Sequence, residues 1–311
     1  MPSSASPHTS SYGSPGSTSP THFHSDPSFL YPHEPGGKLG RQRLSSYYSS
    51  ELMNTLPEKV KSPKTTKQIL SNIHLELTAS EVPLDVKELY ESFEFFLRTR
   101  KRLFGAAKRG PSPPLPIEVH DMCCGHGFTG MLFAACSPSL DVHVKLFDQT
   151  CPPSHFVIRE ALERVCPHMK GRVEFVEKSL SAEGSPPSYP SAAGPSAAGP
   201  SAAGPSAAGP SAARSSSVSR IVIGVHACGL LTDSVLEYAL SNSATSIAVM
   251  PCCYTGTNPQ APYGLKRVLG SSWSSDIARI YRLSSNNYHT DFSSIPSSIT
   301  PMNRIIVAER R

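Results

Sequence analysis

The apolar positions of the chain come in short, nearly unbroken runs. IEVHDM (117–122), VHVKLFD (142–148), RVEFVEK (172–178), RIVIGVH (220–226), SIAVMP (246–251) and NRIIVAER (303–310) are six of them. Runs this short and this apolar fit strands buried on both faces. The segments between them show the three- and four-residue spacing of helices: TGMLFAAC (129–136), HFVIREALERV (155–165) and LTDSVLEYALSN (231–242). Strand–helix alternation of this kind predicts an α/β fold with a doubly wound, largely parallel, Rossmann-like sheet.

Upstream, Val86, Leu89, Tyr90, Phe93, Phe96 and Leu97 mark one face of an amphipathic helix. Pro83 stands at its start and Gly110–Pro111 ends it. TTKQILSNIH (64–73) predicts a shorter helix before it. Residues 1–62 carry little periodic pattern and read as a disordered tail. That divides the chain into a tail (1–62), a helical lead-in (63–110) and a main domain (111–311). The main domain holds a low-complexity insertion, 181–219, in which a PSAA unit repeats from 190 to 214. Such a segment buries nothing and behaves as a flexible or extended loop. Loop-closure entropy grows slowly with length, so the sheet tolerates it.

Composition adjusts this picture slightly. The 30 prolines agree with a chain that only partly builds a core. The net charge of +5 permits nucleic acid as a partner without requiring it. Arg98, Arg100, Lys101 and Arg102, followed by Lys108 and Arg109, form a basic stretch. It reads either as an RNA phosphate contact or as a solvated helix end where the dipole favours cations. The eight cysteines include the adjacent pairs Cys123–Cys124 and Cys252–Cys253 and no C-x-x-C, which suits a reducing compartment. No apolar run is long enough to span a bilayer. The expected location is cytoplasmic or nuclear, with a plastid address left open by the Ser-rich, acid-poor start.

The chemistry concentrates in HDMCCGHGFTG (120–130). Gly125, Gly127 and Gly130 have a G-x-G-x-x-G spacing between a strand and a helix, the context in which such a loop holds a ligand. Asp148 ends the next strand, where it accepts from ribose hydroxyls. A dinucleotide and S-adenosylmethionine both fit so far. Asp121, four residues before the first glycine, separates them. A carboxylate there repels a pyrophosphate and favours a sulfonium.

VHDMCCGHGFTG resembles the first motif of class I S-adenosylmethionine-dependent methyltransferases, with Cys123 in place of that pattern's first glycine. HACGLLTD (226–233) and PCCY (251–254) resemble a eukaryotic methyltransferase-domain group, distantly similar to tRNA 2′-O-ribose methyltransferases. The resemblance covers about residues 117–310. It implies a seven-stranded class I methyltransferase sheet with a reversed final strand, and S-adenosylmethionine across the carboxyl ends of the strands. It further implies that Asp121, Cys123, Gly125, Gly127 and His226 line the methionine part. Asp148 would hold the ribose, and the segment Glu177–Ser179 would flank the adenine, with Ser179 as its contact.

His226, at the end of the fourth strand, is the natural general base for an acceptor that must lose a proton. Asp233 is its candidate partner; a structural role for the histidine is the equal alternative. Cys252 and Cys228 sit where a thiolate would attack carbon 5 of cytosine, although buried cysteine is common without any such role. A zinc site from His226, Cys228, Cys252 and Cys253 ranks lowest, because adjacent cysteines are awkward for one tetrahedron; no metal is expected. Tyr254 either stacks on a base or packs. The functional expectation is methyl transfer to RNA. A protein acceptor and a non-catalytic cofactor- or RNA-binding scaffold are the alternatives.

Overall fold

Seven strands form one sheet in the order β3-β2-β1-β4-β5-β7-β6. They are β1 (Ile117–Met122), β2 (Val142–Asp148), β3 (Val173–Glu177), β4 (Ser219–Val225), β5 (Ser246–Met250), β6 (Tyr288–Ser294) and β7 (Arg304–Arg310). Neighbours from β3 to β5 pair in parallel; β7 runs antiparallel to both β5 and β6. The structure is a computed structural model and describes residues 42–44, 58–109, 115–180, 218–254 and 261–311. The tail expected over 1–62 falls mostly outside the described residues, as do the insertion after residue 180 and the Gly110–Pro111 helix end. Among the described residues no helix is long and apolar enough to cross a membrane.

Six helices flank the sheet among the described residues: α1 (Thr66–Ala79), α2 (Val86–Lys108), α3 (Phe128–Ala135), α4 (Pro153–Val165), α5 (Leu231–Ser241) and α6 (Tyr263–Ser285). A capping box starts α1: Thr65 accepts from the Gln68 N–H while the Gln68 side chain accepts from the Thr65 N–H. Most of the expected apolar stripe of α2 is buried, with Phe93 and Phe96 at 0% exposure, but Leu97 is only half-buried and Phe95 takes a place in the core instead. Phe96 meets Phe133 of α3 edge-on at 5.0 Å, and Phe104 meets the same ring at 5.8 Å. Such T-shaped pairs suit the ring quadrupoles and lock α2 onto α3. The long α2 thus lies across the sheet and carries its two ends to opposite edges.

Two elements have no counterpart among the apolar runs. β6 is an edge strand, YHTDFSS, in which only alternate residues turn inward. α6 is bent at Gly270, and Tyr263 and Val268 of its first half are each 80% exposed.

Candidate functional site

The parallel strands end their carboxyl termini along one edge, and the loops there build the site. After β1 the chain turns through Cys123 and Gly125, both at positive φ, into Gly127 at φ +79°. Gly127 caps α3 in the left-handed region, where glycine has no steric penalty. The Cys124 N–H donates to the Phe147 carbonyl, and the Gly127 N–H to the Cys124 carbonyl, at 3.1 and 2.8 Å. Cys123 is not a glycine although its φ of 56° favours one, a local strain of the kind often stored at ligand sites. Burial pushes its thiol up to about 11.

Asp121 is almost completely buried, and its Oδ2 accepts the Gly130 N–H at 2.8 Å. It therefore fastens α3 to β1 and shapes the loop from behind. Burial, with the nearby Asp148 charge, raises its carboxyl to about 7 against the pull of the Gly130 bond. A carboxyl raised by folding stabilises the fold fully below its unfolded value, near 4, and that contribution is lost as pH rises through about 7. Thermal denaturation between pH 4 and pH 7 should show that loss in the native chain, and a flatter profile in Asp121→Asn.

Asp148 closes the other side of the loop. Its Oδ2 accepts the Gly125 N–H and its Oδ1 the Gln149 N–H, each at 2.7 Å. A carboxylate offers about four lone-pair sites, so acceptor capacity remains for a ribose diol. Ser179 is exposed, two residues beyond β3. Glu177 of the same segment is engaged by the Cys151 N–H at 2.9 Å.

His226 follows β4 at φ 65°, a second left-handed non-glycine residue at this edge. Its partner is Glu91 of α2, with Nε2 and Oε2 3.2 Å apart. Glu88, one turn earlier, pairs in the same way with His126 of the glycine loop at 2.7 Å. Sequence reading missed both carboxylates because nothing local links α2 to the strand ends. Their spacing of three on one helix face was the available signal. Burial opposes ionisation of both, yet the histidine hydrogen bonds hold both carboxyls below their ordinary value, Lys87 assisting at Glu91.

Asp233 does not reach His226 in this arrangement. It binds Arg279 of α6 at 2.9 Å and so ties α5 to α6. Asp276, fully buried, accepts from the Tyr254 hydroxyl at 2.7 Å and from Arg304 at 2.8 Å, and pairs with Arg279 at 3.2 Å. The Arg279 and Arg304 guanidinium groups both lie over the Tyr254 ring, 5.8 and 5.5 Å from its centre. Tyr254 is therefore packed and hydrogen-bonded in this cluster.

Cys228, Cys252 and Cys253 converge, although two of them are neighbours in sequence. The Sγ separations are 3.0 Å for Cys228–Cys252, 3.4 Å for Cys228–Cys253 and 3.6 Å for Cys252–Cys253. The objection that adjacent cysteines cannot point at one spot fails here. His226 is not part of this cluster. Burial pushes the Cys228 and Cys252 thiols up. An attacking thiolate needs the opposite shift. All three line a cleft of about 560 Å³ together with His226, Glu88 and Glu91.

The basic stretch lies elsewhere. Arg102 binds Glu309 at 2.8 Å and Asp291 at 2.6 Å, and Arg109 also binds Glu309. Glu309 is in register with Ser246, the first residue of β5, which places this cluster at the opposite edge of the sheet. Arg98 pairs with Glu94, and Arg100 lies over the Phe96 ring. Lys101 is exposed. The end of α2 that reaches the site is its acidic one.

Residues 107–260 match a family model described as a methyltransferase domain. No curated protein matches the chain. Among solved structures, an O-methyltransferase family protein from Burkholderia thailandensis is 12% identical over 79% of this chain and 60% of its own, with a TM-score of 0.34. Human N-acetylserotonin methyltransferase in complex with S-adenosylmethionine is 11% identical over 81% and 60%, at 0.35. An S-adenosylmethionine-dependent methyltransferase from Aquifex aeolicus is 12% identical over 68% and 87%, at 0.33. The chain thus spans 60% of the length of the Burkholderia and human proteins it matches. The matched segment contains β1 to β5, the glycine loop and the loops that carry His226 and the cysteine cluster. That segment is similar to a methyltransferase domain.

Proposed function

We propose that this chain is an S-adenosylmethionine-dependent methyltransferase that modifies a basic protein side chain, lysine or arginine, admitted through the cleft beside His226. One observation carries the reading: the cleft wall supplied by α2 is anionic. Asp85, Glu88 and Glu91 line it with Lys87, which pairs with Glu91 at 2.5 Å, so three carboxylates face one ammonium there. A cleft lined by one sign of charge gathers the opposite sign and repels its own. A cationic nitrogen is drawn in, and the phosphates of RNA are turned away. Three of the cations that suggested RNA, Arg98, Arg102 and Arg109, are held in ion pairs with Glu94, Asp291 and Glu309, away from this cleft.

When bound, the cofactor supplies a methyl group on a sulfonium. The residues of this chain do the rest. The glycine loop and Asp148 fix the donor, because in-line displacement depends on alignment. The cleft carboxylates hold the acceptor's charge. His226 first takes a proton from the cationic nitrogen, which frees the lone pair that displaces the methyl group while the donor sulfur leaves as a neutral thioether, and Glu91 keeps the ring oriented and stabilises it once charged. Glu91 acts through the histidine and is a positioning residue.

The test is incubation of the purified chain with radiolabelled S-adenosylmethionine and separated protein and RNA fractions. Label is expected in protein, at lysine or arginine. Glu91→Gln should cut transfer by roughly 10–100-fold while leaving cofactor affinity nearly unchanged. Label in RNA alone, or in neither fraction, contradicts the reading.

A further inference from the structure

We propose that Cys228, Cys252 and Cys253 form a three-thiolate site for a soft divalent ion, zinc, with its fourth position open to the cleft. The three sulfurs come from two separate loops, after β4 and after β5. Parallel pairing of those strands sets the loops side by side, and the Gly229 N–H donates to the Cys253 carbonyl at 3.3 Å across them. All three ligand atoms lie within 4.8 Å of one another.

The distances select among the uses of such a cluster. A disulfide needs about 2.05 Å between sulfurs; the shortest separation here is 3.0 Å, and the cysteines are free. Thiolates bound tetrahedrally at about 2.3 Å from zinc stand about 3.8 Å apart. The observed 3.0, 3.4 and 3.6 Å form a triangle slightly tighter than that. Opening it by a few tenths of an ångström to under one ångström needs side-chain rotation only. Thiols are weak donors and weak acceptors, so three of them in mutual contact gain little from each other. An ion that replaces their protons changes that balance, and soft sulfur donors select zinc over magnesium or calcium.

The surroundings agree with an open site. Cys228 is exposed, and the three sulfurs face the cleft that His226 and Glu91 also line. Three protein ligands with a free fourth position distinguish reactive zinc centres from closed structural ones. Zinc with three thiolates carries a net charge of −1, so loading the site preserves the anionic character of the cleft. The ion would fix the β4 and β5 loops to each other and with them the backbone that presents His226. The inference does not depend on which acceptor the domain methylates.

The full chain, purified under reducing conditions, should contain one zinc per molecule by mass spectrometry, or take up one on titration. Cobalt(II) in its place should give the intense near-ultraviolet absorption of thiolate-to-metal charge transfer. Cys228→Ser and Cys252→Ser should each weaken zinc binding by more than about 100-fold, beyond the 10–100-fold typical of losing an outer-shell partner. Cys151→Ser, at a thiol outside the cluster, should leave it unchanged. Cys228 is solvent-facing, so its serine variant retains the fold, and metal uptake by the native chain tests the site without any variant. A native chain that binds neither zinc nor cobalt overturns the proposal. So does recovery of a Cys228–Cys252 disulfide from freshly reduced protein. Because the readout is metal content and absorbance, it fails or succeeds separately from the labelling experiment.

Discussion

Gly130→Ala is expected to lower the melting temperature by roughly 5–15 °C and to abolish measurable cofactor binding. Helix propensity alone argues the reverse, since alanine in a helix interior is worth about 1 kcal/mol over glycine. Packing decides the sign. A Cβ on Gly130 would stand 2.6 Å from Leu146 Cδ2, 2.8 Å from Asp121 Oδ2 and 2.9 Å from Asp121 Cβ. The leucine tip can swing away; the β1 residue cannot. Relief requires α3 to back off from β1, which breaks the Gly130 bond to Asp121. Overpacking of this kind costs about 1–3 kcal/mol, and loss of a bond to a buried carboxyl adds on the order of 1–3 kcal/mol. The same displacement carries Gly125 and Gly127 out of register with Asp148, so binding falls with stability. Scanning calorimetry and a cofactor titration on one sample check both.

Asp276→Ala is expected to cost about 3–5 kcal/mol, or roughly 6–20 °C in melting temperature. The carboxylate has no exposure and serves Tyr254, Arg279 and Arg304 together. Removing it strands two guanidinium groups in a poorly solvated place. Arg279 keeps Asp233, and Arg304 keeps the Trp273 ring at 4.2 Å, which pulls the effect toward the lower end. Asp276→Asn should lie between the two, since an amide still accepts from one donor. Tyr254 follows Cys253 directly, so loosening its anchor should also weaken metal binding at the cysteine cluster.

What the sequence disclosed follows the physics of burial. β1, β4 and β5 are central and covered on both faces, so their apolar runs could hardly be read as anything else. The glycine loop was legible because each glycine answers a geometric demand, Gly127 a positive φ and Gly130 a close approach. β6 was hidden because an edge strand buries only alternate residues. α6 was hidden because its first half exposes its apolar side chains, leaving no inward stripe. At the site, Asp148 stood where the strand pattern put it. Glu88 and Glu91 did not stand out, because their pairing with His126 and His226 depends on how α2 crosses the sheet. The basic stretch drew attention by composition, yet the same crossing takes it to the far edge. The Arg279 that binds Asp233 lies 46 positions away in α6, a distance no local pattern spans.

The account rests on a loop that holds a sulfonium donor with Asp148 on its ribose. Isothermal titration of the purified chain with S-adenosylmethionine examines this most directly. One site should saturate, and Asp148→Ala should weaken it by roughly 10–100-fold, the value of one or two hydrogen bonds to a charged acceptor. Absence of heat with S-adenosylmethionine and with its demethylated product, alongside uptake of a nicotinamide dinucleotide, would contradict it.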